Sequence, residues 1–186
     1  MHSTKTREEL EIFNELVAFG ASDASPVPTG QLRFNKVYRK YCAQNLCGNF
    51  GKSWTCPPYA DPIDSLAREI TGYGKGIVFT AAGSLRFAVD WKSMMKVSDA
   101  LNKICFRIMD DIVPRLGNGT VFGYGPCKYC EKCSFFLDEP CRFPDKKVRS
   151  LEGACLDVTG LAELSGLEVK DDPNRITFFG LFVFDL

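Results

Sequence analysis

The sequence predicts a single-domain protein of α/β or α+β class, a mixed sheet flanked by helices with cysteine-rich metal-binding loops at one end. Three observations lead there. Apolar residues recur at helical spacing in some segments and form short extended runs in others. The last run, Ile176 to Phe184, is broken only by Thr177 and Gly180 and reads as a buried central strand. Seven of nine cysteines fall in two dense stretches between the regular elements of a 186-residue chain, long enough for one core.

Residues 1–30 read as an N-terminal helix and a loop. Leu10, Phe13, Leu16 and Val17 give Thr6 to Phe19 an apolar face, and Gly20 stops it. Ala21 to Gly30, small and proline-containing, reads as a loop. Leu32 to Tyr38 alternates and reads as a strand entering the first cysteine region, residues 31–60. Beyond it, Pro62 to Ile70 reads as a short helix with Asp61 as its cap, and Ile77 to Ala82 as a buried strand. Trp91 to Val113 is the longest expected helix. Its stripe is Met94, Val97, Leu101, Ile104, Cys105, Ile108 and Ile112, which makes Cys105 a core residue.

Thr120 to Tyr124 reads as a strand delivering the chain to the second cysteine region, residues 120–149. Ser150 is placed to cap a helix from Leu151 to Leu164, with Glu152 against its dipole and Cys155 on its apolar face. Leu167 to Lys170 reads as extended, and Asp171 to Asn174 as a turn.

The second region carries the chemistry. Cys127-x2-Cys130-x2-Cys133-x7-Cys141, followed by Pro144, puts three thiols on one tight loop and brings a fourth from a short excursion. A cubane iron–sulfur cluster needs that arrangement. Zinc also takes four thiolates, but its usual pattern is two separated Cys-x-x-Cys pairs, so a 4Fe–4S cluster is read ahead of zinc. The first region is Cys42-x4-Cys47-x8-Cys56-Pro57-Pro58. Residues 31–60 hold Arg33, Lys36, Arg39, Lys40 and Lys52 and no acid, either a positive surround for an anionic cluster or an ordinary solvated face. Gly51-Lys52-Ser53 is not a phosphate loop, because Leu46 stands where glycine is required.

Composition narrows the function. Lys plus Arg and Asp plus Glu are 23 each, which argues against nucleic acid as partner. The start is polar, without the apolar core of a secretory signal, and no stretch approaches a membrane span. The expected setting is cytoplasmic, where disulfides are rare and metal accounts for the cysteines. His2 is the only histidine, which all but excludes imidazole catalysis and histidine-ligated zinc.

These residues resemble a family of predicted metal-binding proteins of unknown function. The similarity covers residues 30–184. It rests on Cys42, Cys47 and Cys56-Pro-Pro, on Gly125-Pro-Cys127-x-x-Cys130-x-x-Cys133 with Cys141-Arg-x-Pro144, and on Ser150-Leu-Glu152 with Leu156-Asp157-Val158 before Gly166. The last resembles the family's Ser-Met-Glu-Ala-Cys-Gly-Ile-Asp-Val segment, whose cysteine falls at Ala154; this chain has Cys155 beside it. The resemblance implies metal binding by Cys42, Cys47, Cys56, Cys127, Cys130, Cys133 and Cys141, and implies no reaction. Cys155 is a further candidate ligand. The expected function is an iron–sulfur protein with one or two 4Fe–4S clusters, a redox or electron-transfer module working with a redox partner protein. The alternatives are an enzyme using an open iron on a small molecule, and a zinc-stabilised interaction domain.

Overall fold

The last strand organises the molecule. A computed structural model describes residues 6–167 and 172–186. In it, strand β5 (Arg175–Phe184) lies inside a five-stranded sheet of order β1-β2-β5-β3-β4, where β1 is Asp23–Val27, β2 Lys75–Ser84, β3 Thr120–Gly123 and β4 Arg149–Ser150. Every pairing is antiparallel except β3 with β4. Phe178, Phe182 and Phe184 of β5 enter one core, and Phe179, Leu181 and Val183 enter another. Both faces of the strand are therefore covered, which is why its sequence is apolar without alternation.

Helices α1 (Arg7–Ala18) and α4 (Trp91–Arg107) supply the first core, with Ile12, Leu16, Leu101 and Ile104 buried against the sheet. Thr6 caps α1 in a reciprocal box with Glu9, as Ser/Thr and Glu three residues apart favour. Asp90 caps α4 through the Ser93 N–H at 3.2 Å. Helices α3 (Ile63–Gly72) and α6 (Val158–Ser165) serve the second core through Leu66, Ile70 and Leu161. Cys105 is fully buried in the first core.

Several expectations fail for physical reasons. Strand β1 lies where a loop was expected. It is an edge strand, and an edge tolerates the missing donor of Pro26. The segment 32–38 forms no strand beyond a single bridge between Phe34 and Leu156. Asn35 turns the chain instead, its side chain accepting from the Val37 N–H at 3.1 Å, and helix α2 (Tyr38–Ala43) follows. Asp61 does not cap α3, which starts after Pro62 without a side-chain cap; the Asp61 carboxylate faces Lys147.

The long helix expected to Val113 ends at Arg107 and widens into a π turn at Ile108–Ile112 before α5 (Val113–Leu116). Pro114 has no N–H to give the Asp110 carbonyl, so the regular ladder cannot continue through it. The helix expected from Leu151 is a turn. Its backbone is claimed by the 33–35 segment, with Asn35 N–H donating to Cys155 at 2.7 Å and Asp157 N–H to Arg33 at 2.8 Å. The helix starts later, with Asp157 as its cap. In the expected turn, Asp172 accepts from the Asn174 N–H at 2.8 Å. Residues 168–171, including most of the expected extended stretch, lie outside the described residues.

Candidate metal centre

Strand β3 ends at Gly123, and the chain passes through Gly125, whose φ of 73° suits glycine, to Cys127. The Cys127 N–H donates to Thr55 Oγ1 at 3.0 Å, and Thr55 Oγ1 lies 3.0 Å from Ser53 Oγ. Both hydroxyl residues are buried, so the first cysteine region braces the second. Trp54, Tyr59 and Phe135 meet edge to face with centroids 5.0 to 5.6 Å apart, and Trp54 Nε1 donates to the Glu139 carbonyl. On the other side the Tyr129 hydroxyl and Lys146 Nζ both reach Asp110 in the π turn.

Cys127, Cys130, Cys133 and Cys141 together line a small cavity of about 20 Å³, with Trp54, Tyr129 and Phe143 in its wall. All nine cysteines are unpaired thiols. Burial pushes the Cys127 thiol upward first, with Cys141 and Cys130 adding to it. Among the described residues, no three His, Cys, Asp or Glu side chains converge closely enough to grip one metal ion as they stand. A single zinc needs each sulfur about 2.3 Å from a common point. The candidate donors are soft and all thiol, which suits zinc or an iron–sulfur cluster, and all four cysteines line one cavity.

The structure groups the other cysteines separately. Cys42 from α2, the exposed Cys47 and the buried Cys56 line a cavity of about 790 Å³. Burial, helped by Cys47 and Cys42, pushes Cys56 up to about 11. Burial also raises Cys42, with Cys155 as its next largest influence. Cys56 senses Cys127 as well, so the two groups adjoin through the Thr55–Cys56 step. Cys155 is fully buried at φ 59°, in a turn rather than on a helix. The left-handed region costs a non-glycine residue about 1 kcal/mol. In the family segment quoted above, glycine falls at this position. Burial raises the Cys155 thiol, and Arg39, which donates to the Gly153 and Asp61 carbonyls, lowers it.

Of the basic residues in 31–60, Arg39 favours the ionised form of both Cys42 and Cys155. Lys36 pairs with Asp64 at 2.7 Å, and Arg33, Lys40 and Lys52 are exposed, as a solvated face would be. Phe122 lies in the second core under Arg149, Tyr124 stacks on Phe178, and Phe136 is exposed. The rings beside the four cysteines are Trp54, Tyr129 and Phe143. All three lie between or beside the motif cysteines, a proximity the sequence does show. Glu152, expected at a helix start, instead lines the larger cavity.

One family model, described as "Predicted metal-binding protein (DUF2284)", matches residues 25–184. No curated protein and no solved structure matches the chain significantly. Among the described residues, no helix is long and apolar enough to cross a membrane.

Proposed function

Since the chain belongs to that family of predicted metal-binding proteins, we propose that it is an iron–sulfur protein with a redox role. Cys127, Cys130, Cys133 and Cys141 would hold a 4Fe–4S cluster, and Cys42, Cys47 and Cys56 would contribute to a second site. The observation that carries this reading is the placement of four unpaired cysteines from one loop on the wall of a single small cavity. Such a cluster supplies one-electron transfer, at a potential set by burial, charge and hydrogen bonding around the sulfurs.

The chain's own residues set those factors. Thr55 fixes the Cys127 backbone, and the Trp54 and Phe143 rings form part of the cavity wall. The ties from Tyr129 and Lys146 to Asp110 hold the loop against the π turn. Four cysteines fill a cluster's corners, which supports electron transfer at that site. The second site has three cysteines on an open cavity, which supports an iron left free for a small molecule. Nine unpaired cysteines fit a reducing, cytoplasmic setting, and the balanced charge favours a redox protein over nucleic acid as partner.

Anaerobic purification with iron, sulfide and zinc quantification tests the reading. Iron and sulfide in equal amounts and reversible bleaching on reduction are expected. Cys130→Ser should lose the first cluster's share, and Cys47→Ser should lose only metal held at the second site. A colourless protein holding zinc and no sulfide overturns the proposal.

A further inference from the structure

The larger cavity is too well formed to be only the approach to three thiols. We propose that it binds a planar aromatic or heteroaromatic small molecule whose N–H donors are received by the Glu152 carboxyl, beside Cys42, Cys47 and Cys56.

At about 790 Å³ the cavity falls within the range of small-molecule sites, roughly 300 to 1,000 Å³. Its position is equally telling. The Cys42–Pro57 loop, the Tyr124–Pro126 entry to the second cysteine region and the Ser150–Gly153 turn all contribute to its wall. Three segments distant in sequence thus meet on one empty space. The wall is largely apolar and aromatic, including Tyr38, Tyr124, Phe178 and Phe179. Tyr124 and Phe178 pack with centroids 4.2 Å apart, and a wall built of rings favours a ligand that is itself a ring. At the mouth, Tyr41, Leu46 and Trp91 are exposed, Leu46 at 89%. Apolar side chains clustered at a cavity's rim mark a surface that a ligand covers.

Glu152 gives the site its polarity. It is half-buried and lines the cavity, and among the described residues no lysine or arginine forms an ion pair with it. Its basic neighbours are engaged elsewhere. Arg39 donates to the Gly153 and Asp61 carbonyls at 3.0 and 2.8 Å, and Lys128 on the rim pairs with Asp99 at 2.8 Å. A carboxyl whose partners are the neutral Ser150 side chain and Gly125 backbone, at the edge of an apolar cavity, has capacity for a ligand that brings charged donors with it. The proposal rests on the iron–sulfur reading for what the ligand meets at the cysteines, and not for binding itself.

The test uses the full chain purified anaerobically, with 2-naphthamidine and 2-naphthoate as probes. They share a ring system and differ in offering donors or a carboxylate. Binding is read by tryptophan fluorescence and by thermal shift, with metal content measured on the same samples. The amidine should bind and raise the melting temperature, and the carboxylate should bind at least about tenfold more weakly. Glu152→Gln should erase that preference, and Met95→Trp, which fills the cavity from α4, should weaken both probes. Either variant is informative if it keeps its circular dichroism and metal content; should one fail to fold, the other and the wild-type preference still decide. Failure of both probes to bind, equal binding of the two, or an amidine preference surviving in Glu152→Gln overturns the proposal. A zinc-loaded, iron-free protein that still prefers the amidine would refute the cluster and leave this site standing.

Discussion

Replacing Gly180 by alanine should destabilise the protein far more than one methyl group ordinarily does. Gly180 lies in β5 directly opposite Phe79 of β2, and the Phe79 ring covers it. A Cβ built at Gly180 would overlap Phe79 Cζ and stand 2.6 Å from Cε2 and 2.9 Å from Cε1. Carbon atoms pack at about 3.5 to 4.0 Å, so the ring must shift by roughly 1 Å. Phe79 is fully buried, and a close-packed core offers it no adjacent space. Such overpacking costs about 1–3 kcal/mol, less about 0.5–1 kcal/mol that alanine recovers from the unfolded chain. A net loss of about 1–2 kcal/mol corresponds to a fall in melting temperature of roughly 2–8 °C for a chain of this size. Thermal unfolding followed by circular dichroism, at matched metal content, reads it. Phe79→Leu should restore much of the loss in the double variant, because the clash is with the ring and not with the strand. The reasoning is refuted if Gly180→Ala melts with the wild type, or if the two substitutions are simply additive.

Other outcomes follow from the geometry. In the metal-free protein the raised Cys56 thiol contributes stability that is fully present below its ordinary value of 9.0 and is lost as pH rises through about 11. Urea midpoints should therefore decline across that window, and Cys56→Ala should flatten the decline; a flat wild-type profile would contradict it. Loading metal should release protons from the raised Cys42 and Cys127 thiols, measurable as acidification in weak buffer, and no release would mean the thiols are already ionised. Arg149, 11% exposed, forks onto Glu69, donates to Thr120 Oγ1 at 2.9 Å and lies over the Phe122 ring. Glu69→Gln should cost about 1–2 kcal/mol in denaturant unfolding, and Arg149→Lys should not replace the fork. Unchanged midpoints in both would show that β4 is held by its backbone pairing alone.

Much of this was legible in local pattern. The helices at Arg7–Ala18 and Trp91–Arg107, the Cys105 core position and the central strand ending at Phe184 follow from spacing that each segment carries within itself. The misreadings share one origin. Alternation at 32–38 and helical spacing at 151–164 are real, but these two segments bond to each other through Asn35, Arg33, Cys155 and Asp157, and that pairing replaces what each would form alone. The strand containing Pro26 was hidden because proline is excluded from a central strand and permitted at an edge, and the sequence does not say which strand is the edge.

By itself the chain determined which cysteines lie close together and its folding class. Four cysteines in Cys-x2-Cys-x2-Cys-x7-Cys are bound to lie within a short reach of one another whatever surrounds them, and a run as apolar as Ile176 to Phe184 must be covered on both faces. Only the tertiary structure separated Cys42, Cys47 and Cys56 onto a cavity of their own, set Trp54, Tyr129 and Phe143 against the other four, and turned Glu152 from an expected helix start into a cavity wall. Those placements depend on which distant segments share backbone hydrogen bonds and ring contacts, and periodicity within one segment carries no information about its partner in space.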